Sequence, residues 1–132
     1  MTIAWADLFA VFVVSHLAGD FILQTEFQAL NKHGGLGRDP VRRRALLAHI
    51  STYTLAFVPA LIWLASDLHA GIIWVAALIA VPHLIQDDGR LIERYVVSVK
   101  GARAATVPAI APMVDQSFHV LVLFAIALLA GD

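Results

Sequence analysis

Residues 3–23 read IAWADLFAVFVVSHLAGDFIL, and this stretch decides the fold. Apart from Asp7, Ser15, His16 and Asp20, every residue in it is apolar or glycine. A hydrocarbon core of about 30 Å is crossed by roughly 20 residues of helix, so the run is long enough to span. A strand there would leave backbone amides and carbonyls unpaired in lipid, which makes helix the expected form. A cleaved leader would place basic residues ahead of the apolar run. Met1–Asp7 contains no Lys or Arg, so the expectation is a permanent span.

Three further segments, 45–66, 70–86 and 109–130, meet or approach the same requirement. The chain has 132 residues, 60% hydrophobic and 14% charged, more apolar surface than a water-soluble domain of this length can hide. The expected architecture is therefore all-α: one integral-membrane domain, residues 1–132, folded as a four-helix transmembrane bundle. The third span is the shortest, and the mixed segment 91–99 is expected to extend it as an amphipathic helix along the interface.

All nine Lys and Arg residues fall in two stretches, Lys32 to Arg44 and Arg90 to Arg103, with none in the turn between the second and third spans. The positive-inside rule then puts both basic loops in the cytoplasm, and both termini and the Asp67–His69 turn outside. Trp5, Trp63 and Trp74 lie toward the outer ends, where an aromatic belt is expected. Arg42, Arg43 and Arg44 suit anionic lipid headgroups. The expected partner is thus the bilayer, with oligomerisation left open. Nucleic acid is not expected, because nothing beyond charge supports it. The absence of cysteine excludes disulfides, thiolate metal sites and cysteine nucleophiles, so any metal must use His and carboxylate.

Ionisable groups inside spans cost about 2.5–3.5 kcal/mol each on insertion scales and persist when they face protein and have partners. Here they form a pattern: His16 and Asp20 in the first span, His49 in the second, His83 and Asp87 at the end of the third, Asp115 and His119 in the fourth. Each His/Asp pair is spaced by four residues, which puts both side chains on one helix face. Given antiparallel spans, all seven fall at similar depth in the cytoplasmic half. Gln24 and Gln116 neighbour the carboxylates and are candidates to orient them. Pro82 is expected to loosen the third helix beside His83, whereas Pro59 and Pro112 carry weaker messages.

Three readings compete for this constellation: polar glue between helices, a proton or ion relay, and a metal site. The metal reading is favoured, because seven imidazoles and carboxylates at matched depth exceed what glue requires. His16, Asp20, His49, His83, Asp87, Asp115 and His119 are the candidate ligands, with Asp20, Asp87 and Asp115 as candidate catalytic carboxylates. A mixed nitrogen and oxygen shell suits a divalent ion, with zinc favoured and manganese or iron also compatible. Seven candidates exceed one tetrahedral shell, so they could hold two ions, or one ion with outer carboxylates. An open coordination position would activate water for hydrolysis.

The motifs HLAGDFILQ (16–24), AHISTYTL (48–55), HLIQD (83–87) and DQSFH (115–119) resemble a family of bacterial membrane proteins grouped as domain of unknown function 3307. The similarity covers essentially the full chain. More distantly, the pattern is similar to membrane-bound proteins named as metal-dependent hydrolases. The resemblance implies a small four-span protein of the bacterial inner membrane. The leading expectation is a metal-dependent membrane hydrolase. The alternatives are a non-enzymatic ion-binding or ion-translocating protein and an accessory subunit of a membrane complex. Because the third element continues as Asp87-Asp88, either carboxylate could face the site.

Overall fold

The first apolar run folds as α1 (Trp5–Leu17), which passes directly into a π-helical turn, Ala18–Ile22. The computed structural model describes residues 3–132, except that the side chains of Ser66, Leu68 and His69 lie outside the described residues. Among the described residues every element is helical: α2 (Glu26–Asn31), α3 (Pro40–Ala56), α4 (Val58–Leu68), α5 (Ile72–Asp87), α6 (Arg90–Tyr95) with a π turn Val96–Lys100, α7 (Ala102–Ala105) and α8 (Ile110–Ala130). Two continuous helices, Trp5–Ile22 and Ile110–Ala130, are long and apolar enough to cross a membrane. The count rises to as many as four if each of two bent pairs, α3 with α4 and α5 with α6, is a single span.

Local chemistry explains where the helices start and bend. Asp39 accepts hydrogen bonds from the amides of Val41 and Arg42, and Pro40 supplies a first-turn residue with no amide to satisfy. Thr25 and Gln28 cap α2 reciprocally. A 46° bend separates α3 from α4 beside Pro59, which cannot donate to the carbonyl of Leu55. By contrast α5 runs through Pro82 unbroken, held between α3 and α8. The expected loosening at Pro82 thus gives way to a sharper bend, 61°, at Asp88–Gly89, where Gly89 adopts a φ of +77° that other residues rarely take.

Helix α1 packs along α8 and touches α4, while α5 packs against α3 and α8. The interior positions recur every four residues: Leu8, Phe12, His16 and Asp20; His49, Tyr53 and Phe57; Val75, Ile79, His83 and Asp87; Asp115, His119, Leu123 and Ala127. Each stripe is apolar at one end and ionisable at the other, so the interior divides into two layers. Leu8, Phe12, Phe57, Ile79 and Leu123 form part of the apolar layer. Beside them His16, His49, His83 and His119 are all at most 2% exposed. The outside is the reverse of a soluble protein: Ile22, Ile62, Ile73, Trp74 and Leu129 are each at least 69% exposed.

Close approach of α3 to the first helix depends on Gly19. A β-carbon there would lie 2.7 Å from the Tyr53 ring and 3.2 Å from its α-carbon. The widened π turn that carries Gly19 and Asp20 also offsets the drift of about 40° that each four-residue step accumulates on a regular helix. Both features bring Asp20 to the same interior point as His49.

Candidate metal centre

Four side chains from three elements meet at one point. His49 comes from α3, His83 and Asp87 from α5, and Asp20 from the π turn after α1. The Nε2 atoms of His49 and His83 are 3.2 Å apart. His49 Nε2 lies 3.2 Å from Asp20 Oδ1 and 2.7 Å from Asp87 Oδ2, and His83 Nε2 lies 3.3 Å and 3.1 Å from the same two oxygens. A tetrahedral ion with ligands at about 2.0–2.1 Å separates those ligands by about 3.3 Å, so these five separations approximate the edges of such a shell.

The donor set fits a divalent cation on two further grounds. Asp20 Oδ1 lies within 3.3 Å of two imidazole nitrogens, yet it is aligned for a hydrogen bond with neither. With both imidazoles protonated at Nδ1, its lone pairs and theirs would converge on the space between them. Charge favours a cation as well: Asp20 and Asp87 are each 5% exposed, and with Lys32 the one ammonium beside them among the described residues, an ion between the imidazoles would offset carboxylate charge that is costly to bury. The Nδ1 atoms of His49 and His83 meet no acceptor among the described residues. Of the two rings, that of His83 is held by stacking, with Tyr53 parallel to it at a centroid separation of 3.3 Å, whereas the Tyr53 ring is tilted by 48° to that of His49 at 6.2 Å.

Around this shell a directed hydrogen-bond chain fixes the carboxylates. Gln116 Oε1 lies 3.0 Å from His16 Nε2, so that nitrogen carries the proton and donates. His16 Nδ1 is then the acceptor, and the Tyr53 hydroxyl donates to it at 3.1 Å. The Gln116 amide in turn donates to Asp20 Oδ2 at 3.3 Å and to Asp115 Oδ2 at 3.5 Å. With its Nδ1 already committed, His16 does not bond Asp20, from which it is 3.6 Å distant. Among the sequence candidates, His16 therefore stands outside the converging ligands and acts on them through Gln116.

The remaining two candidates form a second group with Asp87. Asp87, Asp115 and His119 each offer a ligand atom within 4.8 Å of the others. His119 Nδ1 donates to the carbonyl of Asp115 at 2.9 Å, which leaves Nε2 as the free lone pair, 3.6 Å from Asp87 Oδ1. Asp87 and Asp115 also line a cavity of about 290 Å³, with Lys32, His33 and Gln86 on its wall.

Asp87, rather than Asp88, faces the site. Asp88 points away, accepting from the Leu36 amide at 2.7 Å and from the Arg90 guanidinium. Burial pushes the Asp88 carboxyl up, but Arg90 and that amide outweigh it and hold the group below its ordinary value. Two contributors were not singled out as site residues from sequence. Tyr53 follows His49 by four residues, the spacing that marked the other pairs, and that was its available signal. Lys32, read as a topological charge, donates to Asp87 Oδ2 at 3.0 Å and to Gln24 Oε1 at 2.6 Å. Only the return of α2 onto the inner helices brings it there. His33 pairs with Glu93 at 3.2 Å on the surface.

Compared with known proteins, residues 8–131 match the family model described as protein of unknown function (DUF3307), and the chain belongs to that family. No curated protein and no solved structure matches it.

Proposed function

We propose that this DUF3307 member is an integral membrane metalloprotein that holds a divalent ion between Asp20, His49, His83 and Asp87, and that it acts as a metal-dependent hydrolase on a substrate reached from the cytoplasmic leaflet. The observation that carries the metal reading is the set of five ligand separations between 2.7 and 3.3 Å. Zinc suits a four-residue nitrogen and oxygen shell, while manganese and iron usually take additional ligands.

Placement in a bilayer as a four-helix bundle, with each bent pair contributing a span, is supported by the exposed apolar belt and by the candidate spans. The basic loops give the orientation, termini outward and the ionisable layer toward the cytoplasm of a bacterial inner membrane. Exposed Arg42, Arg43 and Arg44 would then meet anionic headgroups. An ion in the shell supplies Lewis acidity and, at an open position, a nucleophilic water near neutral pH. The chain contributes ligand orientation through Tyr53, His16 and Gln116, and an opening where Asp87 and Asp115 border the cavity.

A non-enzymatic, ion-holding role is the second reading. It is favoured by the closure of the four-residue shell, since closed shells are characteristic of structural sites. Elemental analysis of detergent-purified protein tests the common premise. A stoichiometric metal in the wild type, lost in both His49→Ala and His83→Ala, is expected. A wild type free of metal after growth in metal-replete medium overturns the proposal. Turnover of lipid phosphates or esters that stops on chelation separates the hydrolase from the ion-holding protein.

A further inference from the structure

Beyond the four-residue shell, the facing of His119 Nε2 and Asp87 Oδ1 is unexplained by the protein alone. His119 is 2% exposed, and its Nδ1 proton is committed to the Asp115 carbonyl, so Nε2 presents a lone pair. That nitrogen has no hydrogen-bond partner among the described residues. What faces it at 3.6 Å is a carboxylate oxygen, another lone-pair bearer, on a residue that is 5% exposed. Two acceptors turned toward each other in a buried place repel unless a cation lies between them.

The Nδ1 contact supplies the usual outer support of a metal-bound histidine, in which the second ring nitrogen donates to a carbonyl or carboxylate and fixes the tautomer. Asp115 completes the group from the same helix, four residues before His119, with its side chain 24% exposed toward the opening. Asp87 divides its two oxygens: Oδ2 belongs to the His49–His83 shell and Oδ1 faces His119.

We propose that Asp87, Asp115 and His119 hold a second divalent cation, bridged through the Asp87 carboxylate to the ion of the four-residue shell. This inference rests on the metal reading above. Two-metal centres of this kind place their ions about 3.5–4 Å apart, a span that one bridging carboxylate accommodates. The two positions differ in kind. The shell of Asp20, His49, His83 and Asp87 offers four protein ligands and is closed, whereas the second position has three and borders the cavity where Lys32 stands. Its remaining coordination is open to water or to an anionic oxygen from that side, which is the feature that distinguishes catalytic from structural sites.

Metal counting on chelator-stripped protein reloaded with Mn(II) and passed through a desalting column tests this. The wild type is expected to retain two ions per chain, and Asp115→Asn and His119→Ala one each. The Mn(II)-loaded wild type is expected to give an exchange-coupled electron paramagnetic resonance spectrum, replaced in both variants by the six lines of an isolated ion. Asp115→Asn is nearly isosteric at a half-buried position, and its one retained ion reports that the fold is intact. One ion in the wild type, unaltered in both variants, overturns the second position and leaves the four-residue shell standing. No ion in any of the three, after reloading with Zn(II) as well as Mn(II), overturns both.

Discussion

The Tyr53 ring lies 6° from parallel with the His83 imidazole at a centroid separation of 3.3 Å, while its hydroxyl donates to His16. One side chain thus supports a candidate ligand by its face and a carboxylate-orienting chain by its edge. Because these two roles use different atoms, they can be separated. Tyr53→Phe keeps the stacking and removes the hydrogen bond, and it is expected to weaken metal binding by roughly tenfold, the lower end of what outer-layer changes cost. Tyr53→Leu removes both and is expected to weaken it further. Competition against a chromogenic chelator measures each. Unchanged affinity in the Phe variant would mean that the His16–Gln116 chain does not act on the ion.

Lys32 places an ammonium 3.0 Å from Asp87 Oδ2, the oxygen assigned to the four-residue shell. A cation in that shell and the Lys32 ammonium repel one another. At about 4 Å and an effective dielectric constant of about 20, unit charges interact by about 4 kcal/mol. Replacement by Met, which keeps the apolar stem without the charge, is therefore expected to tighten metal binding, by on the order of tenfold after screening. Titration calorimetry on stripped protein reads the change. A weaker Met variant would show that Lys32 orients Asp87 more than it opposes the ion.

The four-residue stripes are legible in the sequence, because a period of four on helices of this length puts His and Asp on one face whatever their neighbours do. The same regularity made the ends of α5 and α8 readable as sources of ligands. What the residues did not reveal was direction. Whether His16 donates or accepts depends on Gln116, a hundred positions away, and that tautomer removes His16 from the converging ligands. Asp87 and Asp88 are adjacent and chemically identical. Only the bend at Gly89 and the folding of the Gly34–Leu36 loop onto Asp88 decide which turns inward. Lys32 was invisible for the same reason, since its approach to Asp87 depends on a tertiary return of α2.

The lack of cysteine makes orientation measurable without background. Single substitutions at exposed positions, Ala70→Cys beside the turn before α5 and Leu36→Cys in the basic loop, leave the described ligands untouched. In intact cells a membrane-impermeant maleimide is expected to label Ala70→Cys at once and Leu36→Cys only after permeabilisation, at least a tenfold difference in rate. The opposite pattern would invert the proposed orientation, and equal labelling would argue against a sealed bilayer between the two positions.

Beyond His16 and Tyr53, the interior narrows to Leu8, Phe12, Phe57, Ile79 and Leu123, each at most 2% exposed. This greasy stopper turns the ionisable chamber into a cul-de-sac. A hydrated cation entering past Asp87 and Asp115 would have to shed its water against these apolar side chains to go further, so the cheapest exit is the door it came in by. An ion held as proposed would thereby be kept rather than passed along.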